Sequence, residues 1–443
     1  MASRSRPTLR RERVRHGGSG RGRVAPPSGR VASSLMDVDT ARLLLDRGLE
    51  ILDDLPEYEE AQALVVGTRL RREGLDPDLV AAVLTQAELR ARGRVKFGAD
   101  ADRMLFTRDG LEQATRRDVA DHHAARFAAA GLTVVHDLGC GLGADALGLV
   151  RAGITARGVD VDEATALLAA HNLATLDDGT GSSAERGRAE DADPVSTEGV
   201  WFDPARRTPG RTDATGRTRR TFRLEDMTPP WPLVLATAAR IPATGAKLSP
   251  AFPARETPHG AQAEWVSHAG DLVECALWWG PLVAHPGRTA TLLRPGADPV
   301  VVSEDDADGA PPAGSRPVRA GSVLHEPDLA VLQAGLTGAL ARSVEGAEIA
   351  PGMGYVVSDT EVEVPFARRH RVAEVLPANA KGVKAWLRRA GLTGLTIKRR
   401  GGRLDPEDLR RRLGLPTRGG DQATLLLTVA ANGPVALVLE AVT

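Results

Sequence analysis

One stretch constrains the fold of this chain more than any other: Thr133-Val134-Val135-His136-Asp137-Leu138-Gly139-Cys140-Gly141-Leu142-Gly143-Ala144-Asp145. A short β-branched run ends in an acidic residue. Three glycines follow at alternate positions, and an Ala/Leu-rich segment of helical character comes next. The order is strand, tight glycine turn and helix N-terminus, where backbone free of Cβ atoms lets a ligand come close. About twenty residues further on, Gly158-Val159-Asp160-Val161-Asp162 ends a second strand with an acid, at the separation that suits a ribose diol.

The stretch resembles motif I of the class I S-adenosylmethionine-dependent methyltransferases, and Asp160 resembles their motif II acid. A dinucleotide-binding dehydrogenase is the rival, but its fingerprint is G-x-G-x-x-G. Here Gly139, Gly141 and Gly143 keep a G-x-G-x-G spacing, with Asp137 two residues ahead. A glycine turn in some other α/β protein is the plainer alternative. The resemblance implies that Asp137, Gly139, Gly141 and Gly143 hold the amino-acid end of S-adenosylmethionine. It also implies that Asp160 takes the ribose hydroxyls and Asp191 the adenine, with Glu190 able to replace Asp191.

The 443 residues suffice for two or three domains, and 42% apolar with 26% charged residues is ordinary for a globular protein. A net charge of −1 forces neither a nucleic-acid nor a membrane partner. The two cysteines, Cys140 and Cys275, argue against a disulfide framework or a four-thiolate zinc site, and no metal is expected. No apolar run reaches the roughly 18 residues of a membrane span, and no apolar segment follows the N-terminal charges as in a secretory signal. A cytoplasmic protein is expected. Of 57 basic residues only five are lysines, a bias that weakens arginine abundance as a sign of RNA binding.

Residues 1–35 carry nine arginines and one acid among Gly, Ser and Pro. They read as a disordered basic tail that attracts phosphate, a plain extension, or translation upstream of a start at Met36. Residues 36–131 read as a helical domain, from Leu43-Leu44-Leu45 through Leu79–Leu84, with Gly74 and Pro77 as punctuation. Its end, Arg94-Val95-Lys96-Phe97-Gly98 and Leu105 to Thr115, is similar to the lead-in of trimethylguanosine-synthase-like RNA methyltransferases, which closes over the cofactor. Lys96, Phe97 and Arg108 are candidate substrate contacts there; a helical cap that only packs on the sheet is the alternative.

Residues 132–295 alternate strand and helix patterns, as in a doubly wound, Rossmann-like parallel sheet of the α/β class. The expected strands end at Asp137, Asp160, near Asp191 and at Asp203, so all four acids fall at carboxyl ends, where such sheets bind ligands. Gly245 to Pro250 reads as a further strand, Glu264 to Trp278 as a hairpin around Gly270-Asp271, and Ala290 to Leu293 as another strand. Residues 296–318 read as a linker. Its acidic run from Glu304 lacks the spacing of an EF-hand calcium loop. Residues 319–375 read as a connecting region, with Glu326-Pro327-Asp328 opening a helix. Residues 376–443 alternate helix and strand and end in a hairpin through Asn432-Gly433. This α+β tail resembles the THUMP-like domain that accompanies such methyltransferases. Its twelve Lys/Arg against five acids fit phosphate contact, or equally a solvated basic face.

On the substrate side stands Phe202-Asp203-Pro204-Ala205-Arg206-Arg207. Methyltransferases acting on exocyclic amines carry Asp/Asn-Pro-Pro-aromatic there, the acid and carbonyls holding the amine and the ring stacking on the base. Asp203 and Pro204 are kept as candidate catalytic residues. Ala205 and Arg206 depart from the pattern, and Arg206 or Arg207 could stack on a base or bind phosphate instead. Seven arginines between Arg206 and Arg223 suggest a phosphate-binding loop. Cys275, in a strand-like apolar run, reads as buried structure rather than a nucleophile.

These features lead to the expectation of an S-adenosylmethionine-dependent methyltransferase acting on a base nitrogen in RNA, either tRNA or rRNA. A small-molecule or protein methyltransferase, and a non-catalytic RNA-binding protein on the same scaffold, stay open.

Overall fold

The computed structural model describes residues 36–177, 179–206, 224–307, 315–402, 404–415, 423–431 and 433–441. The basic stretch 1–35, the run 207–223 with Arg207 and most of the arginine-rich loop, and Asn432 of the expected hairpin turn lie outside them.

The N-terminal part is helical: α1 (Val38–Leu43), α2 (Leu49–Asp53), α3 (Ala63–Arg72), α4 (Pro77–Phe97), α5 (Arg108–Gln113) and α6 (Arg117–Ala129). The long helix α4 starts where the sequence provides a cap. Asp76 accepts from the Asp78 and Leu79 N–H groups, and Pro77 occupies the first turn, where its missing N–H is harmless. Leu79, Val83, Gln86, Leu89, Arg90, Gly93 and Phe97 form its buried face. Gln86 and Arg90 reach from that face to the backbone of the following segment, which runs along α4 before α5 begins.

Next come β1 (Val134–Leu138), α7 (Ala144–Arg151), β2 (Thr155–Asp160), α8 (Glu163–Leu176), β3 (Ser183–Arg186), β4 (Gly199–Phe202), the two-residue pair β5 (Ala205–Arg206) and β6 (Met227–Thr228), α9 (Trp231–Arg240) and β7 (Thr244–Leu248). They continue into β8 (Gln262–His268), β9 (Asp271–Trp278), β10 (Gly287–Leu293) and β11 (Val300–Ser303). One nine-stranded sheet results, in the order β11-β10-β8-β9-β7-β4-β1-β2-β3. The pairings β3-β2, β2-β1, β1-β4, β4-β7 and β8-β10 are parallel. Strand β9 is antiparallel to both its neighbours, and β11 is antiparallel to β10. All four residues of β4 are buried, as a strand covered on both faces requires. The chain leaves β1 toward β2 and β3 and returns on its other side at β4, so the switch point lies between β1 and β4.

Beyond this sheet lie β12 (Val323–Pro327), α10 (Leu329–Gln333), α11 (Thr337–Ser343), β13 (Ala347–Glu348), β14 (Val356–Ser358), β15 (Ala367–Pro377), α12 (Ala380–Ala390), β16 (Thr396–Arg400), α13 (Pro406–Leu413), β17 (Thr424–Ala430) and β18 (Gly433–Ala441). Their strands form a second sheet, β13-β14-β12-β15-β18-β17-β16. The period-2 run in β17 serves two cores: Leu425 and Leu427 pack under α12 and α13, and Leu426 packs on the opposite face with Leu324 and Val357.

Four sequence expectations change here. The expected linker 296–318 contains β11, which extends the first sheet past residue 295. The expected connecting region 319–375 supplies β12 to β14 and most of β15, and its helices α10 and α11 cover the first sheet through Ala330, Val331 and Ala339 against Trp265 and Leu292. The expected boundary at 376 falls inside β15. Pro327 ends β12 instead of opening a helix, and Asp328 caps α10 by accepting from Ala330 N–H. Short strands flanked by proline and glycine carry too little periodicity to be told from loop.

Candidate active site

The glycine turn lies at the switch point. Gly139 (φ 96°), Gly141 (φ 55°) and Gly143 (φ 81°) all take the left-handed backbone that side chains disfavour. A Cβ on Gly139 would sit 2.9 Å from the Asp203 carbonyl oxygen, so this glycine lets the ends of β1 and β4 meet. A Cβ on Gly141 would meet nothing within 4 Å, so the turn faces open space there. Asp160, at the end of β2, accepts from the Gly141 N–H (3.1 Å) and the Asp162 N–H (2.9 Å). Burial raises its carboxyl pKa against those two hydrogen bonds.

Asp137 is fully buried, and neither carboxyl oxygen has a hydrogen-bond partner among the described residues. Burial and the nearby Asp145 and Asp203 push its pKa well above the carboxylate range. Native interiors rarely tolerate such an orphan without a functional reason. Asp191 follows β3 and is exposed, whereas Glu190 pairs with Arg188 at 3.2 Å.

The lead-in to β1 closes over this turn. Leu105 is held on both backbone groups by the buried Asn172 of α8, which also donates to the Leu142 carbonyl. Gly110 in α5 lies so close to Leu142 that a Cβ would come within 2.9 Å. Lys96 Nζ donates to the carbonyls of Leu111 (2.8 Å), Glu112 (2.7 Å) and Ala114 (2.8 Å), satisfying the orphan acceptors at the end of α5. Burial, then Arg116 and Lys247, lower its pKa to about 8.

Beside the turn, the ends of β4, β7 and β9 carry a network of buried charges. Lys247 Nζ donates to Asp203 Oδ2 (2.7 Å) and Thr115 Oγ1 (2.8 Å). Thr115 in turn donates to Asp145 Oδ2 at 2.7 Å. His123 bridges Asp145 Oδ1 (2.8 Å) and Glu274 Oε1 (2.7 Å) and lies over Trp201, ring centroids 4.4 Å apart. Burial opposes the charge on His123, but the two carboxylates raise its pKa to about 10. Burial likewise opposes the charge on Lys247, yet Asp203, Asp145 and Glu274 hold it above the ordinary lysine value. Burial raises Asp203, and Lys247 pulls against it. A cavity of about 270 Å³ opens over Lys247, lined also by Lys96, Thr115, Arg116, Asp271 and Glu274.

The structure thus brings Asp137, Gly139, Gly141, Gly143, Asp160, Asp203 and Pro204 together at the carboxyl edge, with Lys96 across the cavity. Phe97 is corrected: it is buried against Phe106 (centroids 5.7 Å), because it shares the inner face of α4 with Gly93 and Leu89, four and eight residues back. Arg108 is held by Glu88 at 2.7 Å. Arg206 pairs through its backbone with Met227. Cys275 is buried in apolar surroundings that push its thiol pKa up, so it serves packing. Sequence reasoning missed Lys247, Thr115, Asp145, His123 and Glu274. Lys247 at the end of the expected strand Gly245–Pro250 was the one available signal, a rare lysine at a carboxyl edge.

An uncharacterized S-adenosylmethionine-dependent methyltransferase of Mycobacterium tuberculosis is 30% identical over 361 residues, covering 79% of this chain and 93% of the relative. The chain belongs to the S-adenosylmethionine-dependent methyltransferases. Its fold matches the crystal structure of a candidate methyltransferase from Porphyromonas gingivalis W83, with a TM-score of 0.67, 21% identity, and coverage of 88% of this chain and 100% of that one. A THUMP domain-like family model matches residues 367–441, and a model of a domain of unknown function matches 37–93. The THUMP-like match begins with β15, nine residues before the boundary expected from sequence. The cofactor of this methyltransferase is S-adenosylmethionine. The site fits it: an orphaned buried acid and open space at Gly141 stand where a cationic, polar ligand needs them. Among the described residues, no helix is long and apolar enough to cross a membrane.

Proposed function

We propose that this methyltransferase modifies RNA. One observation carries the reading. On α12 of the THUMP-like domain, Lys381, Lys384 and Arg388 recur at helical spacing, are exposed, and have no ion-pair or hydrogen-bond partner among the described residues. Neighbouring cations are internally paired: Arg389 with Glu374, Lys398 with Glu326, and Arg412 with Asp408. An unpaired basic face on one helix is what a phosphate backbone recognises.

In this reading Asp137 and the turn at Gly139, Gly141 and Gly143 hold the amino-acid end of the cofactor. Asp160 holds its ribose and Asp191 approaches its adenine. When bound, the cofactor supplies an electrophilic methyl group on sulfur. The protein's part is to orient the acceptor in line with it and exclude water, which is a positioning task. The lid formed by α5, clamped by Lys96, suits that exclusion. Asp203 and Pro204 stand on the acceptor side with Lys247.

Mass spectrometry of nucleosides from total RNA tests the reading. Cells lacking the gene should lose one methylated nucleoside, and return of the gene should restore it. An unchanged nucleoside profile would count against RNA as substrate.

A further inference from the structure

Lys247 and Asp203 restrict what the acceptor can be. An ammonium has three N–H donors and no acceptor. Two of the Lys247 donors are engaged by Asp203 Oδ2 and Thr115 Oγ1; the third has no acceptor among the described residues and remains for an occupant of the cavity that Lys247 lines. Three carboxylates keep Lys247 charged, so it donates and does not act as a base. Asp203 Oδ1 has no hydrogen bond among the described residues, so this half-buried acid keeps one free acceptor.

The exocyclic amine of a base presents N–H donors and a lone pair delocalised into the ring. Facing Lys247, it would oppose donor to donor. A hydroxyl presents a lone pair to Lys247 and a proton to Asp203 and so satisfies both. The chain also lacks the aromatic group that would stack on a base next to Pro204, having Ala205 there. Finally, Arg116 lines the same cavity at the N-terminus of α6, with no ion pair or hydrogen bond among the described residues. A guanidinium free at a helix N-terminus suits a phosphate.

We propose that the acceptor is a ribose 2′-hydroxyl of RNA, held between Lys247 Nζ and Asp203 Oδ1, with Arg116 on the neighbouring phosphate. This replaces the base nitrogen expected from sequence and rests on the RNA reading above. In the transfer, one O–C bond forms as one S–C bond breaks. The hydroxyl proton passes to the Asp203 carboxylate and from there to water. Lys247 steadies the hydroxyl oxygen while it loses that proton, as preorganised donors do for developing oxyanions. Lys247 and Asp203 are thereby catalytic residues, whereas Thr115 positions Lys247.

The test uses the full-length protein, S-adenosylmethionine labelled in its methyl group, and RNA from cells that lack the gene. The RNA is then hydrolysed in alkali, which cannot cut beside a 2′-O-methyl ribose. Label in alkali-resistant dinucleotides, with none transferred to DNA of the same sequence, is the expected result. Label in mononucleotides bearing a methylated base overturns this inference and leaves RNA as substrate. No label in RNA overturns both. In Lys247→Met, transfer should fall about a hundredfold or more, while calorimetry gives an S-adenosylmethionine affinity within about threefold of wild type. Transfer that stays within about threefold removes Lys247 from catalysis. Label position is read on the wild-type protein and so is independent of whether the variant folds.

Discussion

The two halves of the carboxyl edge solve opposite problems. The proposed donor half, at the ends of β1 and β2, is built from backbone: left-handed glycines, one acid bonded to the turn, and one buried acid with no hydrogen-bond partner among the described residues. The acceptor half, at the ends of β4, β7 and β9, is built from side chains paired with one another, from Asp203 through Lys247, Thr115, Asp145 and His123 to Glu274. The first leaves polar groups unsatisfied in the free protein, ready for a ligand. The second satisfies its charges internally and, among the described residues, keeps one donor and one acceptor free. Open valence suits binding of a polar cofactor, whereas closed pairing suits the fixed electrostatics that a reacting group needs.

The difference can be broken by mutation. His123→Ala, which removes the cation bridging Asp145 and Glu274, should lower unfolding free energy by about 3–5 kcal/mol in denaturant titrations. The same pairing sets a pH dependence. Because folding raises the His123 pKa from 6.5 to about 10, its contribution is complete below pH 6.5 and lost as pH rises toward 10. Thermal melts of wild type should fall over that window, with a shallower fall in His123→Phe; equal slopes would remove the histidine from the account. Asp137→Ala should behave in the opposite sense. Removing a buried acid without a partner should leave stability within about 1 kcal/mol of wild type or raise it, while S-adenosylmethionine binding weakens about tenfold or more. A matching loss of stability would show that Asp137 has a structural partner. The smallest effect belongs to the second sheet. Replacing Lys381, Lys384 and Arg388 with serine should reduce the salt-dependence slope of RNA binding by about 2, at roughly 0.7 per phosphate, with no change in cofactor affinity.

The donor half was legible in sequence because it is local. Asp137 to Gly143 lie within one turn, and Asp160 follows at the spacing set by a single helix and strand. The parallel core and the hairpin around Gly270 were legible for the same reason. The acceptor half was not, because its members are contributed by α6, α7, β4, β7 and β9 and by Thr115 ahead of α6. No short motif links His123 to Glu274 across 151 positions. Phe97 and Lys96 show how fine the distinction is. They are adjacent in sequence, yet one step around α4 turns Phe97 inward and leaves Lys96 to clamp α5. The β11 strand was read as linker because its four residues carry too little periodicity, and β12 to β14 were read as a connecting region because each is short.

The division of the edge into a donor and an acceptor half is tested most directly by titration calorimetry with S-adenosylmethionine on three proteins: wild type, Gly141→Trp and Lys247→Met. An indole at Gly141 would enter the open space before the turn, at a φ that side chains disfavour. The account predicts that Gly141→Trp weakens binding by about a hundredfold or more, equivalent to about 2.7 kcal/mol, while Lys247→Met binds as wild type does. Undiminished binding in Gly141→Trp, or its loss in a folded Lys247→Met, would contradict it.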